Sequence, residues 1–136
     1  MKLTPFVVIG LFILPAVAVA DDARQAILDG LAVQARAEPG FTGFSADRGR
    51  SLFVTEFKSG KVDTPSCTSC HGTNPALGGR TRAGKDIDPM AVSKTPQRYT
   101  DPEKVGKWFE RNCDNVLARP CTAKEKGDFI TFMMGQ

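Results

Sequence analysis

Apolar positions recur at helical spacing in four stretches of this chain. Ala26, Ile27, Leu31 and Ala35 follow Asp21-Asp22, which predicts an amphipathic helix with acidic residues at its positive end and a stop at Pro39-Gly40. Ser45 reads as the N-cap of a second helix carrying Gly49, Leu52, Phe53 and Phe57 and ending at Ser59-Gly60. Thr100-Asp101-Pro102-Glu103 has the form of a capping box, with Thr100 at the N-cap and proline in the first turn. Thr122-Ala123-Lys124-Glu125 repeats the device ahead of Phe129, Ile130, Phe132 and Met133. Between these pairs, Lys61 to Gln97 has no period and is rich in Gly, Pro, Thr and Asp. So long a segment without regular structure indicates a functional wrap around something. No strand pattern competes, and the predicted class is all-α with a substantial loop.

The N-terminus follows another rule. Lys2, an apolar centre from Pro5 to Leu14, a break at Pro15 and the small-x-small run Ala18-Val19-Ala20 form a signal peptide over residues 1–20. The apolar centre is short of the roughly 20 residues that span a bilayer, so no stable membrane insertion is expected after cleavage. Cleavage after Ala20 leaves a helical extension over 21–40 and a domain over 41–136. The expected compartment is periplasmic, where disulfides persist.

Composition narrows the function. The 136 residues, 41% of them hydrophobic, suit one domain with a core, and 18 Lys+Arg against 15 Asp+Glu give a net charge of +3. That weak excess argues against a nucleic-acid partner, which calls for a concentrated basic face. The chain has one His and 4 Cys, so any site that needs two histidines is excluded.

Cys67-Thr68-Ser69-Cys70-His71 is the Cys-x-x-Cys-His signature of c-type haem attachment. Two thiols three positions apart on a helical turn reach two vinyl groups on one haem edge. The adjacent imidazole then supplies the proximal iron ligand. A thioredoxin-like pair would need a strand before the motif and a helix after it, whereas Thr64-Pro65 precedes and Gly72-Thr73-Asn74-Pro75 follows. A zinc site would need Cys113 and Cys121 as further ligands and leaves the leader and the wrap unexplained. The expected cofactor is one covalently bound haem c. In an oxidising compartment Cys113 and Cys121 are expected to form a disulfide, worth about 2.6 kcal/mol by chain entropy, with a free dithiol as the alternative.

The second axial position is open to several residues. Met133 and Met134 read as helix-end packing, and Met90 lies too soon after His71 for an easy return to the iron. On a helical wheel Val105, Trp108, Phe109 and Asn112 share one face within about 100°. A carboxamide on such a stripe needs a partner when buried. Ferric iron is one candidate partner, and a helix C-cap is the plainer role.

Five stretches carry a resemblance: Thr64 to Gly72, Thr81 to Ile87, Thr95 to Asp101, Lys107 to Cys113 and Arg119 to Lys126. Together they resemble the SHP family of small monohaem class I cytochromes c, related to cytochrome c″, over about residues 46–134. The resemblance implies the class I cytochrome c fold, all-α helices wrapped around one haem, with an additional N-terminal helix. It implies Asn112 as the distal ligand, beside the Cys113–Cys121 disulfide. Cytochrome c″ has His at that position, so bis-His behaviour is not expected here. The family also implies binding of oxygen, NO or CO to ferrous haem, and partners that include a dihaem c-type and a membrane b-type cytochrome.

The expected function is a periplasmic electron carrier whose Asn112 yields its place to a diatomic gas on reduction. The alternatives are a plain six-coordinate electron-transfer cytochrome and a small haem oxidoreductase. With the sole His on iron, no distal acid–base His remains, which disfavours an enzyme. Arg80, Arg82, Lys85 and Arg98 are candidate propionate donors, Arg82 foremost, with Tyr99 and Trp108 as further haem contacts.

Overall fold

A computed structural model describes residues 16–136 of the chain. The expected leader therefore lies largely outside the described residues. Five helices follow in order: α1 (Ala16–Ala35), α2 (Ala46–Val54), α3 (Thr68–His71), α4 (Pro102–Leu117) and α5 (Ala123–Met134). Two short strands, β1 (Gly79–Arg80) and β2 (Asp86–Ile87), pair antiparallel between α3 and α4. The helical class holds, and the strand pair is an addition within the wrap. Two residues per strand is too short for a period of two to show.

The bounds moved at three places. α1 starts at Ala16, five residues before Asp21, so the expected Ala20–Asp21 cleavage point falls inside it. α2 ends at Val54 rather than running through Phe57, whose amide instead donates to Pro65 O at 2.7 Å. The N-cap of α4 is Asp101 and not Thr100: its carboxylate accepts from the Lys104 amide at 3.0 Å, and Pro102 opens the helix. The Thr100 hydroxyl turns back to Gln97 O at 2.9 Å. The second capping box forms as written, with Thr122 accepting from the Glu125 amide and Glu125 from the Thr122 amide.

α2 and α5 cross at the centre of the molecule. Gly49 permits the crossing, because a side chain there would strike the Asp128 backbone and Phe132 Cβ. Fully buried Phe53 packs on Phe129 and Phe132 with ring centroids 6.2 and 5.8 Å away. Phe109 of α4 meets Phe129 edge-on at 5.6 Å, and Tyr99 does so at 6.4 Å. The Phe53 contacts are tilted, and the two others are the T-shaped kind that ring quadrupoles favour. Buried Asp128 accepts from the Ser45 amide at 2.7 Å and from Arg48 at 2.7 and 2.8 Å, so its charge is satisfied inside the crossing. Leu28 and Leu31 bring α1 onto the same core.

Candidate haem-attachment site

The motif folds as a single helical turn. Cys67 is the N-cap of α3, and the His71 and Gly72 amides donate back to Cys67 O and Thr68 O at 3.2 and 2.9 Å. Buried Ser66 precedes it, its hydroxyl 2.7 Å from Thr68 Oγ1 and 3.3 Å from Ser69 Oγ. β1 lies behind the turn: a side chain at Gly79 would collide with Cys70 O and approach His71 Cα at 2.8 Å. The strand pair thus acts as a backstop that fixes the backbone of the motif.

Its donor atoms are left free. Cys67 and Cys70 are unbonded thiols, and burial pushes the Cys67 thiol up to about 11. His71 is held neutral, its pKa lowered to about 4 by burial and then by the charge of Arg98. Its Nδ1 is buried without a hydrogen-bond partner, as is Thr64 Oγ1. A neutral imidazole is the form that ligates iron, and two separate thiols on one turn are the form that a haem edge takes up. The residues fit a covalently attached haem. They do not fit zinc: Cys113 and Cys121 are joined in a disulfide, Cα–Cα 5.6 Å. No group of three or more His, Cys, Asp and Glu gathers among the described residues. An open groove of about 600 Å³ runs along the outer side of α3 past Cys70, Gly79 and Arg80; neither Cys67 nor His71 lines it.

Asn112 lies on α4 beside the disulfide cysteine Cys113, half-buried, and its carboxamide makes no hydrogen bond among the described residues. The stripe expected from the wheel splits in two. Phe109 joins Cys113, Val116 and Leu117 in the core with Val105 packed against it, while Asn112 is half-buried and Trp108 exposed. Trp108 is 52% exposed, with the Arg111 guanidinium stacked 4.2 Å above its ring. Met90 and Met133 belong to the core at 8% and 0% exposure, and Met134 stands exposed near the C-terminus.

Three of the four expected propionate donors have other partners. Arg82 pairs with Asp63, and Arg80 with Asp86 at 2.9 Å. The Tyr99 hydroxyl donates to Met90 O at 3.2 Å, and burial drives its phenol pKa upward. Arg98 donates to Pro89 O at 2.8 Å and to Asp88 O at 2.6 Å. Sequence reasoning passed over Arg24, which is wholly buried on α1. Its signal in the sequence is faint, since a single arginine on a helix reads as surface charge.

Comparison with known proteins agrees with this geometry. Residues 39–133 match the family described as "Domain of unknown function (DUF1924)". "Cytochrome c-type protein SHP" of Cereibacter sphaeroides is 50% identical over 91 residues, which is 67% of this chain and 70% of that protein. "Cytochrome c''" of Methylophilus methylotrophus is 33% identical over 99 residues, 72% of this chain and 69% of that one. The structure of oxidized SHP, described as an oxygen binding cytochrome c, superposes with a TM-score of 0.77 at 42% identity, covering 83% of this chain and 96% of that one. The solution structure of M. methylotrophus cytochrome c'', described for its haem-ligand detachment, gives 0.66 at 27% identity, covering 88% and 95%. Fold and site together define a small all-α cytochrome with haem as its cofactor. More narrowly, the chain belongs to the DUF1924 family and is related to SHP and cytochrome c''.

Proposed function

We propose that this cytochrome is an exported electron carrier in which His71 and Asn112 hold the iron when it is ferric, and Asn112 withdraws when it is ferrous. The haem, joined through Cys67 and Cys70, supplies an iron that changes valence and accepts a diatomic ligand. The observation that carries the reading is the unengaged carboxamide of Asn112, set against Met90 and Met133, whose side chains are committed to the core.

His71 offers a neutral imidazole on a turn braced by β1, so the proximal side is rigid in both valence states. Asn112 offers an amide oxygen, a hard donor that matches ferric iron better than ferrous. Its grip loosens on reduction, and the side chain turns away to leave room for oxygen, NO or CO. SHP is described as oxygen binding and cytochrome c'' in terms of haem-ligand detachment, and both support the reading.

The leader over 1–20 and the Cys113–Cys121 disulfide support export to the periplasm, with cleavage after Ala20. Among the described residues no helix is long and apolar enough to cross a membrane. Other cytochromes, a dihaem c-type and a membrane b-type among them, are the proposed redox partners. Absorbance spectra of both valence states with and without carbon monoxide test the proposal. A ferrous spectrum that responds to the gas is expected; a six-coordinate ferrous form indifferent to it overturns the mechanism.

A further inference from the structure

One surface loop touches both the attachment turn and the helix that carries Asn112. Its base is closed by the Phe57 amide, which donates to Pro65 O at 2.7 Å. Phe57 packs on the core, and Pro65 runs straight into buried Ser66 and then Cys67. Within the loop the Thr64 amide donates to Lys61 O at 2.9 Å, and Val62 stands 94% exposed. The middle of the loop lies on the end of α4. There the Lys61 amide donates to Asn115 O at 2.7 Å, and Asn115 follows Asn112 by about one turn on the same helix. One short segment therefore joins the backbone next to Cys67 to the backbone next to Asn112.

Gly60 sets how closely these two pieces approach. A Cβ there would collide with Val116 O and Asn115 O and would lie 2.5 Å from Val116 C. The φ of Gly60 is not positive, so its backbone suits any residue and contact alone excludes a side chain. The atoms opposite belong to the main chain of a helix, which cannot rotate aside as a flexible side chain would. α4 is pinned elsewhere too, since Cys113 is joined to Cys121 and Phe109 meets Phe129 at 5.6 Å. A methyl group at position 60 would force the loop and α4 apart by about 1 Å before ordinary contact is reached.

We propose that the loop over 57–65 is a gauge that holds α4 at a fixed separation from the attachment turn, and that Gly60 is the positioning residue that keeps Asn112 within reach of the iron. The assignment rests on the reading of His71 and Asn112 as axial ligands given above. A side chain on a tethered helix can follow its partner only as far as its torsions allow, so a displacement of about 1 Å strains or breaks the bond. An added anion can reach ferric iron only in molecules where Asn112 has let go. Its apparent affinity is therefore reduced by the fraction of molecules in which that position is free, and weakening the hold of Asn112 raises that fraction.

The test is azide titration of the ferric, haem-loaded full chain, followed by absorbance, for the wild type, Gly60→Ala, Asn112→Ala and the double variant. Gly60→Ala is expected to bind azide about tenfold more tightly than the wild type, because the open fraction grows by that factor. In the Asn112→Ala background the same change is expected to leave azide binding alone, since the hold it weakens is already gone. A folded Gly60→Ala protein with wild-type azide affinity overturns the proposal. An equal gain in both backgrounds also overturns it, because that marks a structural disturbance that does not act through Asn112. If Gly60→Ala fails to accumulate, a single glycine inserted after exposed Val62 decides, since it slackens the loop without adding bulk. Tighter azide binding by the insertion variant supports the gauge, and unchanged binding overturns it. An Asn112→Ala protein whose ferric spectrum matches the wild type would instead overturn the axial-ligand reading itself.

Discussion

The α2–α5 crossing and the attachment turn handle their polar groups in opposite ways. At the crossing, Asp128 satisfies its carboxylate with Ser45 and Arg48, and Phe53 is fully buried against Phe129 and Phe132. At the turn, His71 Nδ1 and Thr64 Oγ1 are buried without partners, and two thiols stay unbonded. A buried polar group left unpaired costs about 1–3 kcal/mol. The crossing is complete from protein atoms alone, whereas the turn is arranged around groups that protein atoms do not provide. Stability and chemistry are thus separated in space, and substitutions should separate them too.

The largest effect is expected at the thiols. Replacing Cys67 and Cys70 together with Ser should abolish covalent haem, read as loss of the pyridine haemochrome, while the α2–α5 core still forms. Phe53→Ala should show the reverse. Emptying a fully buried aromatic position costs about 3–5 kcal/mol, measurable by denaturant unfolding, with the ferric spectrum of the remaining folded protein unchanged. A spectral change in Phe53→Ala would erase the separation between the two regions.

Asn112→Ala should sharpen the comparison. Helix propensity favours Ala over Asn by a few tenths of a kcal/mol, so unfolding should hardly move. The ferric spectrum, by contrast, should change and respond to azide. An unaltered ferric spectrum would remove Asn112 from the site. Asn112→His should give a low-spin ferric spectrum.

The smallest effect is expected at Glu125, where the hydrogen-bonded Arg119 guanidinium holds the carboxyl below its usual range. A depressed folded pKa contributes stability above the unfolded value, about 4.3, and that contribution is lost as pH falls through the folded value. The gap in stability between wild type and Glu125→Gln should therefore close in acid, with no change in the haem spectrum. A constant gap from neutral pH to pH 3 would show that Glu125 acts only through its packing.

Residues whose role is local could be read directly from the chain. The Thr122–Glu125 box spans four consecutive positions and formed as expected, and Cys67, Cys70 and His71 carry their chemistry in their spacing. Thr100 and Asp101 are both competent caps, so only Pro102, which opens the helix, decides between them. The strand pair escaped notice because two residues per strand are too few to show an alternating pattern. Arg24 depends on carbonyls more than seventy positions away, and no window along the sequence contains both ends of that contact. The wheel placed Phe109 with Asn112, yet the core divided them, because Phe129 reached one side of α4 only.

The cross-link between Cys113 and Cys121 bears on how quickly the cytochrome can answer a change in valence. With the neighbouring backbone tethered covalently, an Asn112 that ligates the iron as proposed would not need to drag a helix along on leaving it. Rotation about its own side-chain bonds suffices, and partly exposed side chains make such jumps in picoseconds to nanoseconds. Gas capture after a reducing flash would then be paced by diffusion into the pocket and not by any rearrangement of the fold.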